Sequence, residues 1–444
     1  MLQLHDNTRR RICLVAFLGL CVVPAVIVLA CGVARHLPGH VRDEAERLAR
    51  QLGQEVSVER VRHPRPGVVV YDGLELSDSE TGRRILRCRT LEARWETSAD
   101  ASGDGRKTLV LFASQPEIEA DRLEPLWQLV LGMLTRRTSC PESDVRFETR
   151  QLRFRRGETR QTLTELEGRI ERLSGESRAD VAFRLAEVET PEPIRLRIAR
   201  NHQIEPPSTG VGLHTGGGAL PCSLLALGVP ELETLGPQSR FRGYLWVNET
   251  PEGCDGELTG EFIGVDIEGL VARYSPHTLR GTAQLTVRLA RFQRGRLWEA
   301  TGSVSAGPGF VSRSLLDAAA DRLGMTRGLE ASASDDLISY EQLGLSFLID
   351  SRGLELRGAC GPTGSAAILV ARYGVLLREP EPTRQPIPVT AWMQALAPTA
   401  EAHVPATRET RWLLSRLPDF PSAVPGAAGR EPRSPAGNAT RPGP

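Results

Sequence analysis

The side chains able to do chemistry in this 444-residue chain are scattered. His36 and His40 stand four apart, as paired metal ligands on one helical face would, but Pro38 and Gly39 between them break such a helix. Cys13, Cys21 and Cys31 lie in an apolar run, leaving Cys88, Cys140, Cys222, Cys254 and Cys360 outside it. Five is odd and no pair has a metal-site spacing, so neither a disulfide framework nor zinc ligation is expected. Gly216-Gly217-Gly218 has no following lysine to complete a phosphate loop and reads as a linker. No serine sits in a G-x-S-x-G elbow, and the carboxylate pairs Asp43-Glu44 and Asp335-Asp336 have no convergent partners. Asn438-Ala439-Thr440 is formally a glycosylation acceptor in a tail without periodicity. Arginines surround Phe154 at 153, 155 and 156, which reads as a solvated strand face. The expectation is a protein that is not an enzyme, with no catalytic, metal-binding or cofactor-binding residue and no cofactor.

What the sequence offers instead is apolar alternation. Ile194, Leu196 and Ile198 alternate with Arg195 and Arg197. Leu285, Val287 and Leu289 alternate with Thr286 and Arg288, and Leu345, Phe347 and Ile349 alternate with Ser346 and Leu348. Successive strand side chains point to opposite faces, so these nine residues are expected to line one shared apolar interior able to admit acyl chains. Such strands, wet on one side, read as antiparallel.

The elements around them are mostly strands. Asp350-Ser351-Arg352-Gly353 reads as a hairpin turn, and Val145 and Phe147 differ in parity from Leu152 and Phe154, which predicts a β-bulge. Helical periodicity is confined to residues 41–53, 124–135 and 314–323, with weaker segments at 223–227, 389–396 and 407–417. The fold class expected is mainly β with a few short helices, a long curved antiparallel sheet forming an incompletely closed β-groove. Residues 41–202 read as a first groove region with an amphipathic helix, 203–218 as a flexible connection and 219–378 as a second groove region. Short helices follow at 379–417 and a disordered, Pro-rich tail at 418–444.

Residues 12–33 hold 22 residues without a charge, enough to cross a bilayer, directly after Arg9, Arg10 and Arg11. The positive-inside rule makes 1–11 cytoplasmic and exports the rest. The run exceeds a signal-peptide core, so an uncleaved anchor is expected. The alternative is a lipoprotein cleaved before Cys31, within Val28-Leu29-Ala30-Cys31-Gly32. Basic and acidic residues balance at 55 each, and Lys107 is the sole lysine, so no nucleic-acid partner is expected.

The order of these parts resembles the start of the AsmA-like family of bacterial envelope proteins. A helix ends at Leu52-Gly53 before Val56. A strand follows with Gly73, Leu74, Leu76 and Asp78, and another rises to Leu91, Ala93 and Trp95. Residues 279–309 and 340–358 are similar to that family's C-terminal region, whereas 139–240 match nothing specific. The resemblance implies a single-span inner-membrane protein with a periplasmic apolar β-groove that binds or transfers phospholipid in outer-membrane biogenesis. Its implied partners are membrane lipid, the inner membrane and an envelope protein. The competing expectation is a membrane-anchored structural or interaction protein without lipid-transfer activity, its sheet closed over its own core.

Overall fold

The computed structural model describes residues 14–23, 26, 38–79, 81–99, 105–119, 124–135, 144–156, 159–173, 175–226, 229–250, 253–328, 336–361, 366–380, 386–388, 391, 392 and 395. The N-terminal stretch 1–11, the segment 407–417 and the tail 418–444 lie outside them, as does most of 379–417.

Helix α1 (Pro38–Leu52) leads into β1 (Glu55–Ser57), β2 (Arg60–Arg65), β3 (Val68–Ser77), β4 (Arg84–Ala99), β5 (Gly105–Ser114) and β6 (Glu117–Glu119). After α2 (Glu124–Thr135) come β7 (Asp144–Arg156), β8 (Thr159–Leu173), β9 (Glu176–Leu185), β10 (Ile194–Asn201), β11 (Ser208–His214) and β12 (Leu220–Pro221). The short α3 (Cys222–Leu225) and a 3-10 turn (Pro230–Leu235) precede β13 (Arg240–Thr250) and β14 (Gly253–Asp266). Next are α4 (Ile267–Tyr274), β15 (Leu279–Arg280), β16 (Thr282–Gln293), β17 (Arg296–Ala306), β18 (Gly309–Ser312) and α5 (Arg313–Leu323). Six strands finish the fold: β19 (Thr326–Arg327), β20 (Leu337–Tyr340), β21 (Gln342–Asp350), β22 (Gly353–Gly358), β23 (Ala367–Ala371) and β24 (Gly374–Arg378).

All but β15, β18 and β20 belong to one 21-stranded sheet. Four pairs of strands (β1 and β2, β5 and β6, β11 and β12, β22 and β23) share a neighbour end to end, so the 21 strands fill 17 positions separated by 16 steps. At about 4.8 Å per step the sheet extends for roughly 75 Å along its curve. It is curved and not closed into a barrel.

The pairing is antiparallel except where β5 and β6 meet β7 in parallel, so the expected antiparallel sheet is a mixed one. Parallel neighbours need a crossover connection, and here α2 supplies it. The chain from β9 through β10 and β11 to β13 is a continuous ladder. Residues 203–218 are therefore not a flexible division between two regions. Residues 208–214 are strand β11, and Gly216 to Gly218 form a turn packed on 190–193. A Cβ on Gly216 would stand 2.8 Å from the Pro193 carbonyl oxygen, and φ there is +62°.

Helices cover the apolar face in series. Val41, Leu48, Ala49 and Leu52 of α1 pack on Val56, Val61, Tyr71, Leu74 and Leu76, which also shields the sheet's first edge. Leu134 of α2 packs with Ile170, Ala179 and Ile198. Val271 of α4 packs against the cluster of Phe241, Phe262 and Val287, and Leu316 and Ala319 of α5 join Val311, Tyr340 and Leu369. The caps are local: Asp266 Oδ1 accepts the Glu268 N–H at 3.1 Å, and Ser312 Oγ accepts the Leu315 N–H at 3.3 Å. Gly324, at φ +67°, ends α5 in the left-handed conformation.

The burial parity of β7 does change, between buried Thr149 and buried Leu152, but the strand does not carry the expected β-bulge: its register is unbroken against β8 on one side and β5 and β6 on the other. The next strand changes phase with it: Glu165 has φ 51°, and the β8–β9 register shifts between Thr164 and Glu167.

Of the expected span 12–33, residues 14–23 and 26 are described and helical, with Leu18–Val22 in a π-turn. Phe17 is 61% and Leu20 78% exposed, so most of this apolar helix leaves its side chains uncovered by the described residues. No helix among the described residues is long and apolar enough to cross a membrane.

Candidate functional site

The nine expected groove residues separate into sealed, half-buried and displaced positions. Ile194 and Ile198 are sealed beneath the strand face of β9 to β12 and helix α2, and Val287 is sealed among Phe241, Phe262 and Ala300. Leu196, Leu285, Leu345, Phe347 and Ile349 are half-buried on the same face. Leu289 is displaced. The β16–β17 register shifts between Val287, opposite Gly302, and Leu289, opposite Thr301, so Arg288 is the extra residue of a bulge. Ala290, not Leu289, then joins the buried cluster, and alternation alone placed Leu289 on the wrong side.

Between the covering helices the apolar face is not uniformly shut. Leu258, Leu285, Phe292, Leu297, Val304, Phe347 and Ile349 form a half-buried strip across β14, β16, β17 and β21. Phe347 lies over Gly302, where a Cβ would meet its Cζ at 2.7 Å. Gly168 leaves similar room beneath Phe147.

The opposite face is charged. Arg195 and Arg197 point away from the apolar interior, as alternation requires, into an open groove of about 1180 Å³ that runs across β4, β5, β7 to β11 and β13. An ion-pair ladder crosses its floor. Arg197 Nε contacts Asp180 at 2.6 Å and Arg178 Nε contacts Asp180 at 2.9 Å. Arg178 and Arg169 each reach Glu171 at 2.8 Å, and Arg169 reaches Asp144 at 3.2 Å. The pairs other than that of buried Asp144 are individually worth about 0–1 kcal/mol, and together the ladder sets side-chain directions across four strands.

At the groove's other end Tyr244 and Trp246 project from β13 at 39% and 38% exposure. Trp246 lies beside Gly210 and Gly212 of β11, where added Cβ atoms would be 3.7 Å and 3.6 Å from its ring. His214 Nδ1 accepts the Gly216 N–H at 3.2 Å, which leaves Nε2 to carry the proton of the neutral ring. None of Tyr244, Trp246, Asp180, Glu167, Glu192 or His214 is singled out by sequence reasoning. The available signal is the alternation of Tyr244-Leu245-Trp246-Val247 set against Gly210-Val211-Gly212-Leu213, and only the register joins them.

Other chemistry-bearing groups are structurally engaged. His277 is buried, and Ala395 O, which can only accept, lies 3.1 Å from its Nε2, so Nε2 carries the proton. Nδ1 then accepts from Ser314 Oγ at 2.8 Å. The pair resembles a base and nucleophile, yet behind the imidazole stands a main-chain carbonyl instead of a carboxylate. Its visible effect is to hold residue 395 onto α5. Burial raises the thiol pKa of Cys88, Cys222 and Cys360, the opposite of what an attacking thiolate needs. Among the described residues no three His, Cys, Asp or Glu side chains converge as metal ligands. His40 lies 5.5 Å from the ring of His63, and His36 is outside the described residues.

Comparison with protein-family models, curated proteins and solved structures gives no match to this chain.

Proposed function

We propose that the chain is an inner-membrane-anchored envelope protein that binds, or hands on, phospholipid through the apolar face of its sheet in outer-membrane biogenesis. The observation that carries this reading is the half-buried strip from Leu258 to Ile349, an apolar surface left between the covering helices of a sheet that does not close. Acyl chains would complete the burial that the helices leave unfinished. The exposed apolar side chains of residues 14–23 suit a helix whose solvent is a bilayer, and the resemblance in residues 9–95 supplies the envelope setting. A sheet of about 75 Å is short for an envelope, so the reading includes a partner protein.

A second reading has its own support. Ile194, Ile198 and Val287 are sealed by protein, as expected of a membrane-anchored structural or interaction protein whose sheet covers its own core. Mass spectrometry of a chain beginning at Ala34 and purified without detergent separates the two. The lipid reading expects stoichiometric phospholipid, reduced when Phe347 is changed to Ser. A folded, lipid-free chain establishes the second reading.

A further inference from the structure

We propose that the charged face carries a binding site for a neutral oligosaccharide chain, with Tyr244 and Trp246 as its aromatic platforms. The site lies on the opposite side of the sheet from the half-buried apolar strip, so it stands or falls independently of lipid binding.

Three observations lead there. First, the groove is roomy and lies across central strands. The backbone groups of β10, β11 and β13 are committed to their ladders, which leaves an extended peptide no strand edge to join. A ligand must be held by side chains.

Second, the groove is electrically mixed. Five carboxylates and four guanidinium groups line it. A polyanion such as nucleic acid or a row of anionic headgroups would meet as much repulsion as attraction. A hydroxyl both donates and accepts, so a polyhydroxylated ligand satisfies carboxylates and guanidinium groups together without needing charge. Among the described residues the side chains of Arg195, Glu167 and Glu192 have no partner, while the ladder fixes their neighbours. His214, held through Nδ1, adds an outward Nε2–H donor.

Third, two aromatic rings sit in a polar setting. Residues two apart on one strand place side chains about 7 Å apart on the same face, so the rings of Tyr244 and Trp246 succeed one another along β13. Among the described residues no apolar cluster includes either ring, and both stay more than one-third exposed. The axial C–H faces of pyranose rings pack on aromatic faces. Gly210 and Gly212 open space beside Trp246 by having no side chains.

The test uses the full chain in a non-glycosidic detergent on an array carrying cellohexaose, chitohexaose, maltohexaose, sulfated heparin hexasaccharide and a library of extended peptides. The expected result is retention of at least one neutral hexasaccharide, weakened about tenfold or more in Trp246→Ala and Tyr244→Ala through loss of a desolvated aromatic contact. Arg195→Ala should weaken it at an unchanged melting temperature. If Trp246→Ala melts early, Trp246→Phe and Arg195→Ala decide instead: the first should keep most of the binding and the second lose it. Absence of neutral-sugar binding, preference for heparin or peptides, or binding indifferent to these substitutions overturns the proposal.

Discussion

Changing Val287 and Leu289 separately to aspartate tests whether the bulge at Arg288 sets the faces of β16. Val287 is 7% exposed and packs in the cluster that holds Phe241 and Phe262, whose rings lie 4.9 Å apart. Val287→Asp forfeits roughly 1.5–3 kcal/mol of apolar burial. It also places an unpaired carboxylate where desolvation costs at least about 2 kcal/mol more. A total near 4 kcal/mol or above should lower the melting temperature of the surrounding unit by on the order of 10 °C. Leu289 has rotated out of that cluster and is half-buried, so Leu289→Asp should cost about 1 kcal/mol and shift melting by only a few degrees. The assay is differential scanning fluorimetry at one scan rate, because unfolding of so long a chain need not be reversible. Uninterrupted alternation expects both variants to fail alike. Equal losses, or a larger loss at Leu289, would refute the bulge and the face assignment built on it.

Four further outcomes follow from other parts of the sheet. Gly168→Ala should destabilise by roughly 1–3 kcal/mol because its methyl occupies the ring position of Phe147, and Phe147→Ala should remove most of that penalty in a double-mutant cycle. Burial, reinforced by Glu44, pushes the Tyr71 hydroxyl up to about 12, so ultraviolet titration should show one of the five tyrosines ionising last, and Tyr71→Phe should delete that step. Because its folded value is raised, this group's contribution to stability is complete below its ordinary value near 10 and fades as pH climbs through 12. The bidentate bond from Arg62, with both contacts at 2.6 Å, holds Asp72 below its ordinary value. The stability lost in Arg62→Ala should therefore be small, present at neutral pH, and vanish as acid protonates Asp72, because water screens so exposed a pair. His277→Ala removes the bonds to Ser314 and Ala395, and limited proteolysis should then cut near residue 395 sooner than in the parent chain.

Much of the architecture is local and therefore legible without a structure. Alternation in Ile194-Arg195-Leu196-Arg197-Ile198 sends apolar and charged side chains to opposite faces whatever lies beside the strand, and the structure keeps that division. The amphipathic face of Val41, Leu48, Ala49 and Leu52 likewise needs only the helical period, and the Asp350–Gly353 turn needs only a glycine able to take φ 139°. Register and crossover are long-range, and there local signals fail. Whether β7 lies parallel or antiparallel to β5 depends on α2 crossing the sheet, an outcome absent from either strand's composition. Leu289 is carried to the other face by one unpaired residue, because a period of two converts a one-residue slip into a reversal. Gly216 to Gly218 read as slack since their neighbours at 190–193 arrive only through folding, and Tyr244, Trp246, Asp180 and Arg195 become one groove only once β9, β10, β11 and β13 are zipped in register. The chain's own order thus determined what each strand would bury, while pairing energies summed over distant strands decided which side chains would meet.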